Sequence, residues 1–191
     1  MTDNYLFESF KDVLSSDSEG ISFKEGSDFD CGLKTLSSFQ RRERLAKIRL
    51  LHDCVFSNLD KLDEEIYMVS KLEICSEWNG WQEWFEDFIY AKRMKKNVFY
   101  REIIAEANKR NIQLMTRHVI SCNENKALAD KFFRGNMEYI TKVCFCVPKL
   151  DLAVQPTHSV QLLLYSKNKD SRFVNFTESL LSYSDELKPW G

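Results

Sequence analysis

The chain has 191 residues, 43% of them hydrophobic and 13% aromatic, with a formal net charge of −2 and a pI near 6.0. That is enough apolar side chain for one domain with a proper core, and six Gly with three Pro argue against a loop-dominated all-β chain. The charge balance gives no bulk affinity for nucleic acid, and no apolar run approaches the roughly 18–20 residues of a membrane span. The acidic start MTDNYLFESF lacks the basic and apolar regions of a signal peptide, so a cytoplasmic protein is expected.

Residues 1–35 stand apart as an acidic, partly flexible arm, with eight acids against three lysines. Within it NYLFESFKDVL (4–14) has a short amphipathic pattern through Leu6, Phe10 and Val13 or Leu14, whereas SSDSEG and KEGSDFD read as flexible. Residues 36–191 are expected to form a single α/β domain. It opens on the helix of 37–63, which Ser37 or Ser38 can cap. The stripe Leu45, Ile48, His52, Val55, Leu59 and Leu62 gives that helix an apolar side, for packing on the domain or for self-association or a protein partner. Arg41, Arg42, Arg44, Lys47 and Arg49 crowd its first half, a solvated face or a partner for the acidic arm. His52 lies in the stripe and reads as a satisfied core histidine.

EEIYMVSKLEI (64–74) then reads as a buried strand. In CSEWNGWQEWFEDFIY, Trp78, Trp81, Phe85 and Phe88 recur at three and four, the pattern of a helix packing on the sheet or walling a pocket. The stretch through Phe99, Ile103 and Ala107 is a further helix, ended by Asn111, a residue that tolerates the left-handed conformation. IQLMTRHVI (112–120) is a strand, and NENKALADKFFRG a short helix capped by Asn123 and ended by Gly135. MEYITKVCFCV, LDLAVQ and HSVQLLLYS are three strands, and DSRFVNFTESLLSYSDEL closes the chain as a helix. Strands separated by helices predict an α/β fold, a mixed sheet with helices on both faces and an antiparallel portion at the late strands.

Motifs are mostly absent. There is no GxGxxG, Walker loop, HExxH, GxSxG or CxxC. The six cysteines read as small buried hydrophobes, although Cys144 and Cys146 alternate onto one strand face, where two thiols could share a ligand. No metal and no cofactor is expected. The basic run AKRMKK (91–96) sits beside aromatics but is short, so nucleic acid is not the expected partner.

The strand EEIYMVS after an amphipathic helix, the helix EIIAEANKRNI leading into a strand with a basic residue, the short helix NENKALADKF, and LLLYSKNKDSRFVNFTESLL resemble the phospholipase D-like domains of archaeal TrmB-type regulators and related sensor proteins. The resemblance covers about residues 40–187 and rests on the order of elements. Enzymes of that family carry HxKxxxxD, with His as nucleophile and Lys on the phosphate. Here His52, His118 and His158 are followed two residues on by Cys54, Ile120 and Val160, so no HxK exists. The resemblance therefore implies the sensory, non-hydrolytic branch, with no catalytic residues.

Ligands of open parallel sheets sit outside the carboxyl ends of the strands. That places a candidate site for a small, anionic ligand at Ser70 and Lys71, at Arg117 and His118, and at the aromatics Trp78 and Trp81. Three functions remain: a non-catalytic regulatory or sensory domain, a phosphodiesterase or nuclease using His118 and His158 in a non-standard way, and an adaptor acting through the arm and helix 37–63.

Overall fold

The computed structural model describes residues 13–14, 16–25, 37–72, 98–112, 118–137 and 141–190. In chain order these are β1 (Ser18–Phe23), α1 (Ser38–Asp60), β2 (Tyr67–Leu72), α2 (Val98–Lys109), β3 (His118–Ser121), α3 (Lys126–Met137), β4 (Thr141–Val147), β5 (Leu152–Thr157), β6 (Gln161–Ser166), α4 (Ser171–Leu181) and β7 (Leu187–Trp190). The strands form one seven-stranded sheet in the order β3-β2-β4-β5-β6-β1-β7.

The α/β class holds. The six strand pairings are all antiparallel, including both neighbours of β2, where a parallel neighbour was expected. Apolar alternation specifies which residues face the core but not strand direction, and a 45-residue connection between β2 and β3 is long enough for either.

Alternation sorts the sheet cleanly. Val143, Phe145 and Val147 of β4 share a core with Met68, Ile120, Leu152, Leu164 and Ile21. All four helices pack there, through Leu51 and Val55 of α1, Ile103 and Ala107 of α2, Phe132 and Phe133 of α3, and Phe173, Phe176 and Leu180 of α4. The opposite positions, Cys144, Cys146 and Ala153, form a second, smaller cluster with Val13, and half-buried Tyr67, Val69, Val119 and Tyr165 lie around it. Val13 and Leu14, both helical, are what meets that second face among the described residues.

Helix α1 begins with a reciprocal cap. Ser37 Oγ accepts from the Gln40 N–H (3.2 Å) and Gln40 Oε1 accepts from the Ser37 N–H (2.9 Å). Its buried side runs through Arg44, Lys47, Ile48, Leu51, Cys54, Val55, Asn58 and Leu59. That corrects the stripe read from sequence, because Leu45 is 42% exposed and Arg44 is 2% exposed. The reason is local: the Arg44 guanidinium donates to the carbonyls of Met137 and His158, tying α1 to the end of α3 and to the β5–β6 turn. In that turn Val160 holds φ at 60°, a strained value for a β-branched residue, and burial keeps it there. The basic half of the helix does reach the acidic segment, through Lys47, whose Nζ donates to the Glu25 carbonyl (2.6 Å).

Three further differences have local causes. SSDSEG was read as flexible, yet Ser18–Phe23 is an inner strand between β6 and β7. Its short run of Ile21, Ser22 and Phe23 is too brief to signal itself without the partners. Gly20 belongs there because a Cβ would lie 2.3 Å from the Trp190 carbonyl oxygen and 2.4 Å from its ring. Strand β7 went unread because LKPW carries a proline, tolerated on an edge. Gly135 lies inside α3 rather than ending it, and Asn125 rather than Asn123 serves its start, its carbonyl accepting from Leu128 and Ala129. Asn111 does end α2 with a left-handed φ of 55°.

Candidate functional site

The path of β2 connects two chemically opposite ends. At its start, the Ile66 N–H donates to Asn123 Oδ1 (3.0 Å) and the Ile66 carbonyl accepts from the Cys122 N–H (2.8 Å). Asn125 Nδ2 also donates to the Ser121 carbonyl (3.0 Å), so the turn after β3 is stitched to both strands. These bonds fix the register: Tyr67 faces Ser121, Val69 faces Val119, and Ser70 faces His118. On the other side, Ser70 faces Val143, Lys71 faces Lys142 and Leu72 faces Thr141.

Two of the expected site residues are thereby gathered. Ser70 and His118 are cross-strand partners, whereas Lys71, next along β2, alternates to the other face of the sheet. They meet because the strands are antiparallel, so the end of β2 lies at the start of β3. The expectation of two carboxyl ends side by side is corrected accordingly. Trp78, Trp81 and Arg117 lie outside the described residues, as does the proposed aromatic helix of 78–88. Sequence reading missed Lys142. Nothing in MEYITKVCFCV marks it, and only the β2–β4 register brings it opposite Lys71.

Lys71 and Lys142 thus hold directly opposed register positions, and like charges at such positions are unfavourable by a few tenths to about 1 kcal/mol.

The start of β2 is different. Asp60, Asp63, Glu64 and Glu65 line a hollow with Lys126 and Lys149. Here two of the four carboxylates are paired, Lys126 Nζ lying 2.9 Å from Asp60 and Lys149 Nζ 2.7 Å from Glu64. The contact with Glu64 raises the Lys149 ammonium. Among the described residues no group of three His, Cys, Asp or Glu is arranged to hold a metal ion.

His52 sits elsewhere, between α1 and α3. Its Nε2 lies 2.6 Å from Asp130 Oδ1 and its Nδ1 2.9 Å from Asp53 Oδ1. Phe56 and Phe133 pack on the ring, with centroids at 4.6 Å and 5.4 Å. Burial works against protonation and Arg134 opposes it too, but the two carboxylates outweigh both and the imidazole pKa is raised. Asp130 mirrors this: burial pushes its carboxyl up, and His52 with Arg134 brings it below its usual value. The arrangement is a charged clamp between two helices and touches no pocket lined by the strand ends. His158 lies in the β5–β6 turn, where its carbonyl accepts from Arg44. Its turn and the first residue of β3 belong to separate parts of the sheet, with β2 and β4 between them.

The chain matches no family model, no curated protein and no solved structure. No helix among the described residues is long and apolar enough to cross a membrane.

Proposed function

We propose that the chain is a non-catalytic regulatory or sensory domain that binds an anionic group at the end of β2, where Lys71 and Lys142 hold opposed register positions. The observation carrying this reading is the opposed lysine pair, a feature that is unfavourable alone and favourable with an anion. The phospholipase D-like resemblance supports the same direction through what it lacks. His118 is followed by Val119 and Ile120, so the lysine that would accompany a nucleophilic histidine is missing.

The probes are inorganic phosphate and pyrophosphate, compared with chloride at equal ionic strength. Phosphate or pyrophosphate raises the melting temperature of the full chain, and Lys71→Ala and Lys142→Ala each abolish the rise while leaving the melting curve in chloride cooperative. Equal melting in phosphate, pyrophosphate and chloride would sink the anion site. Hydrolysis of bis(p-nitrophenyl) phosphate that disappears in His118→Ala would replace the sensor by the phosphodiesterase reading.

A further inference from the structure

The second face of the sheet carries a pair of thiols that the anion site does not use. Cys144 and Cys146 alternate on β4, an inner strand bonded to β2 and β5, while Phe145 between them points into the helical core. Both cysteines are free and buried. Residues two apart on a strand have their Cα atoms roughly 6.5–7 Å apart, yet these sulfurs lean to 3.9 Å. Two thiolates bound tetrahedrally at about 2.3 Å from one zinc-sized ion stand about 3.8 Å apart. The pair is thus already at the bite of a chelate, held by a ladder bonded on both sides. Its surroundings are Val13, Ala153 and the half-buried Tyr165, whose hydroxyl is engaged with Gln155 Oε1 (3.0 Å).

We propose that Cys144 and Cys146 form a two-sulfur clip for a soft, thiophilic Lewis acid, of which a trivalent arsenical is the defining probe, and that Val13 is its cover. Soft sulfur ligands select soft acceptors, and no third side chain of ligating type joins the pair among the described residues. The clip therefore suits an acceptor that takes two protein sulfurs and brings its own remaining ligand. With phenylarsine oxide, two As–S bonds form and the arsenic–oxygen bond breaks. The oxygen leaves as water with both thiol protons, and nothing is oxidised. Burial holds the Cys146 thiol protonated well above the usual range, and because both thiol protons leave in the water formed, capture releases no net proton and its extent stays independent of pH while the thiols are protonated. Cys146 is fully buried and Cys144 is 6% exposed beneath Val13, itself 5% exposed, so entry requires Val13 and Leu14 to lift. Occupancy of the clip is in this way coupled to the position of Val13 and Leu14. This proposal stands apart from the anion site, and either can fail without the other.

The test uses the full reduced chain with phenylarsine oxide, read by intact mass, by melting temperature and by mapping which cysteines become protected from alkylation after denaturation. One arsenical per chain, protection of Cys144 and Cys146 together, and removal by a small dithiol but not by a monothiol are expected. Cys144→Ala and Cys146→Ala each lose the adduct, and Cys122→Ala keeps it. Val13→Ala speeds capture without changing its extent. Protection of any other pair of cysteines, no adduct, or an adduct that survives Cys144→Ala overturns the clip. The mapping on the unaltered chain decides the matter even where a variant fails to fold. A capture rate unchanged by Val13→Ala overturns the cover.

Discussion

The two faces of the sheet use the same strands for different purposes. On the helical face, four helices and alternate strand residues seal a continuous core in which Phe132, Phe133, Phe145, Leu51 and Met68 are fully buried. On the second face, the intervening residues are shorter or half-exposed, and Val13 and Leu14 are the described residues that meet them. Cysteines make the contrast concrete. Cys54 and Cys122 lie singly in the helical core, where burial pushes each thiol up to about 12. Cys144 and Cys146 lie paired on the other face. The larger of the two buried clusters thus lies on the helical side.

The sharpest way to break that comparison is to open the helical core. Phe133 touches His52, Phe56 and Phe145 and has no exposed surface. Phe133→Ala is expected to cost about 3–5 kcal/mol, read as a lower urea midpoint at unchanged slope. A loss below about 1 kcal/mol would mean that this face does not dominate stability.

A smaller loss is expected at Gly20, on the second face. A Cβ there meets the Trp190 carbonyl at 2.3 Å, a backbone atom that cannot rotate away. Gly20→Ala therefore costs about 1–3 kcal/mol. Hydrogen exchange should show the loosening in β7 and β1 while the amides of α1 and α3 stay protected. Uniform loss of protection would mean that the two faces are not energetically separable.

The His52 clamp gives a pH signature belonging to the helical face, intermediate in size between Gly20→Ala and the lysine effect below. Its folded pKa is raised above 6.5, so its contribution is fully present below pH 6.5 and fades as pH climbs through the folded value. Asp130 is depressed below 3.8, so the same contact is lost again as pH falls through that lower value. Melting temperature should accordingly decline from mildly acidic to mildly alkaline pH, and His52→Gln should flatten that decline. A profile of His52→Gln parallel to the unaltered chain assigns the decline to other groups.

The smallest effect has the opposite sign. Lys142→Glu turns a like-charged cross-strand pair with Lys71 into an attractive one and should stabilise the chain in chloride by about 0.2–1 kcal/mol. The same variant should lose all stabilisation by phosphate. Destabilisation in chloride would show that the two lysines do not sense each other.

Much of this molecule was legible in residue pattern, and the exceptions are instructive. The helix of Ser38–Asp60, its cap at Ser37, the strands around Met68, Phe145 and Leu164, and the left-handed Asn111 follow from periodicity and from backbone preference, which act over a few residues. The pairing of Cys144 with Cys146 on one face follows equally from a period of two. Strand β1 did not, because Gly20 and Ser22 supply no apolar alternation of their own and the strand exists through β6 and β7. Lys142 and the Ser70–His118 pair were likewise out of reach, since register depends on which strands become neighbours and in which direction. So local order, the α/β class and the alternation of residues along the strands were written in the chain, where sterics and burial operate residue by residue. Strand direction, the burial of Arg44 and the meeting of Lys71 with Lys142 were decided only when distant segments packed, because each is a property of two pieces of backbone rather than of one.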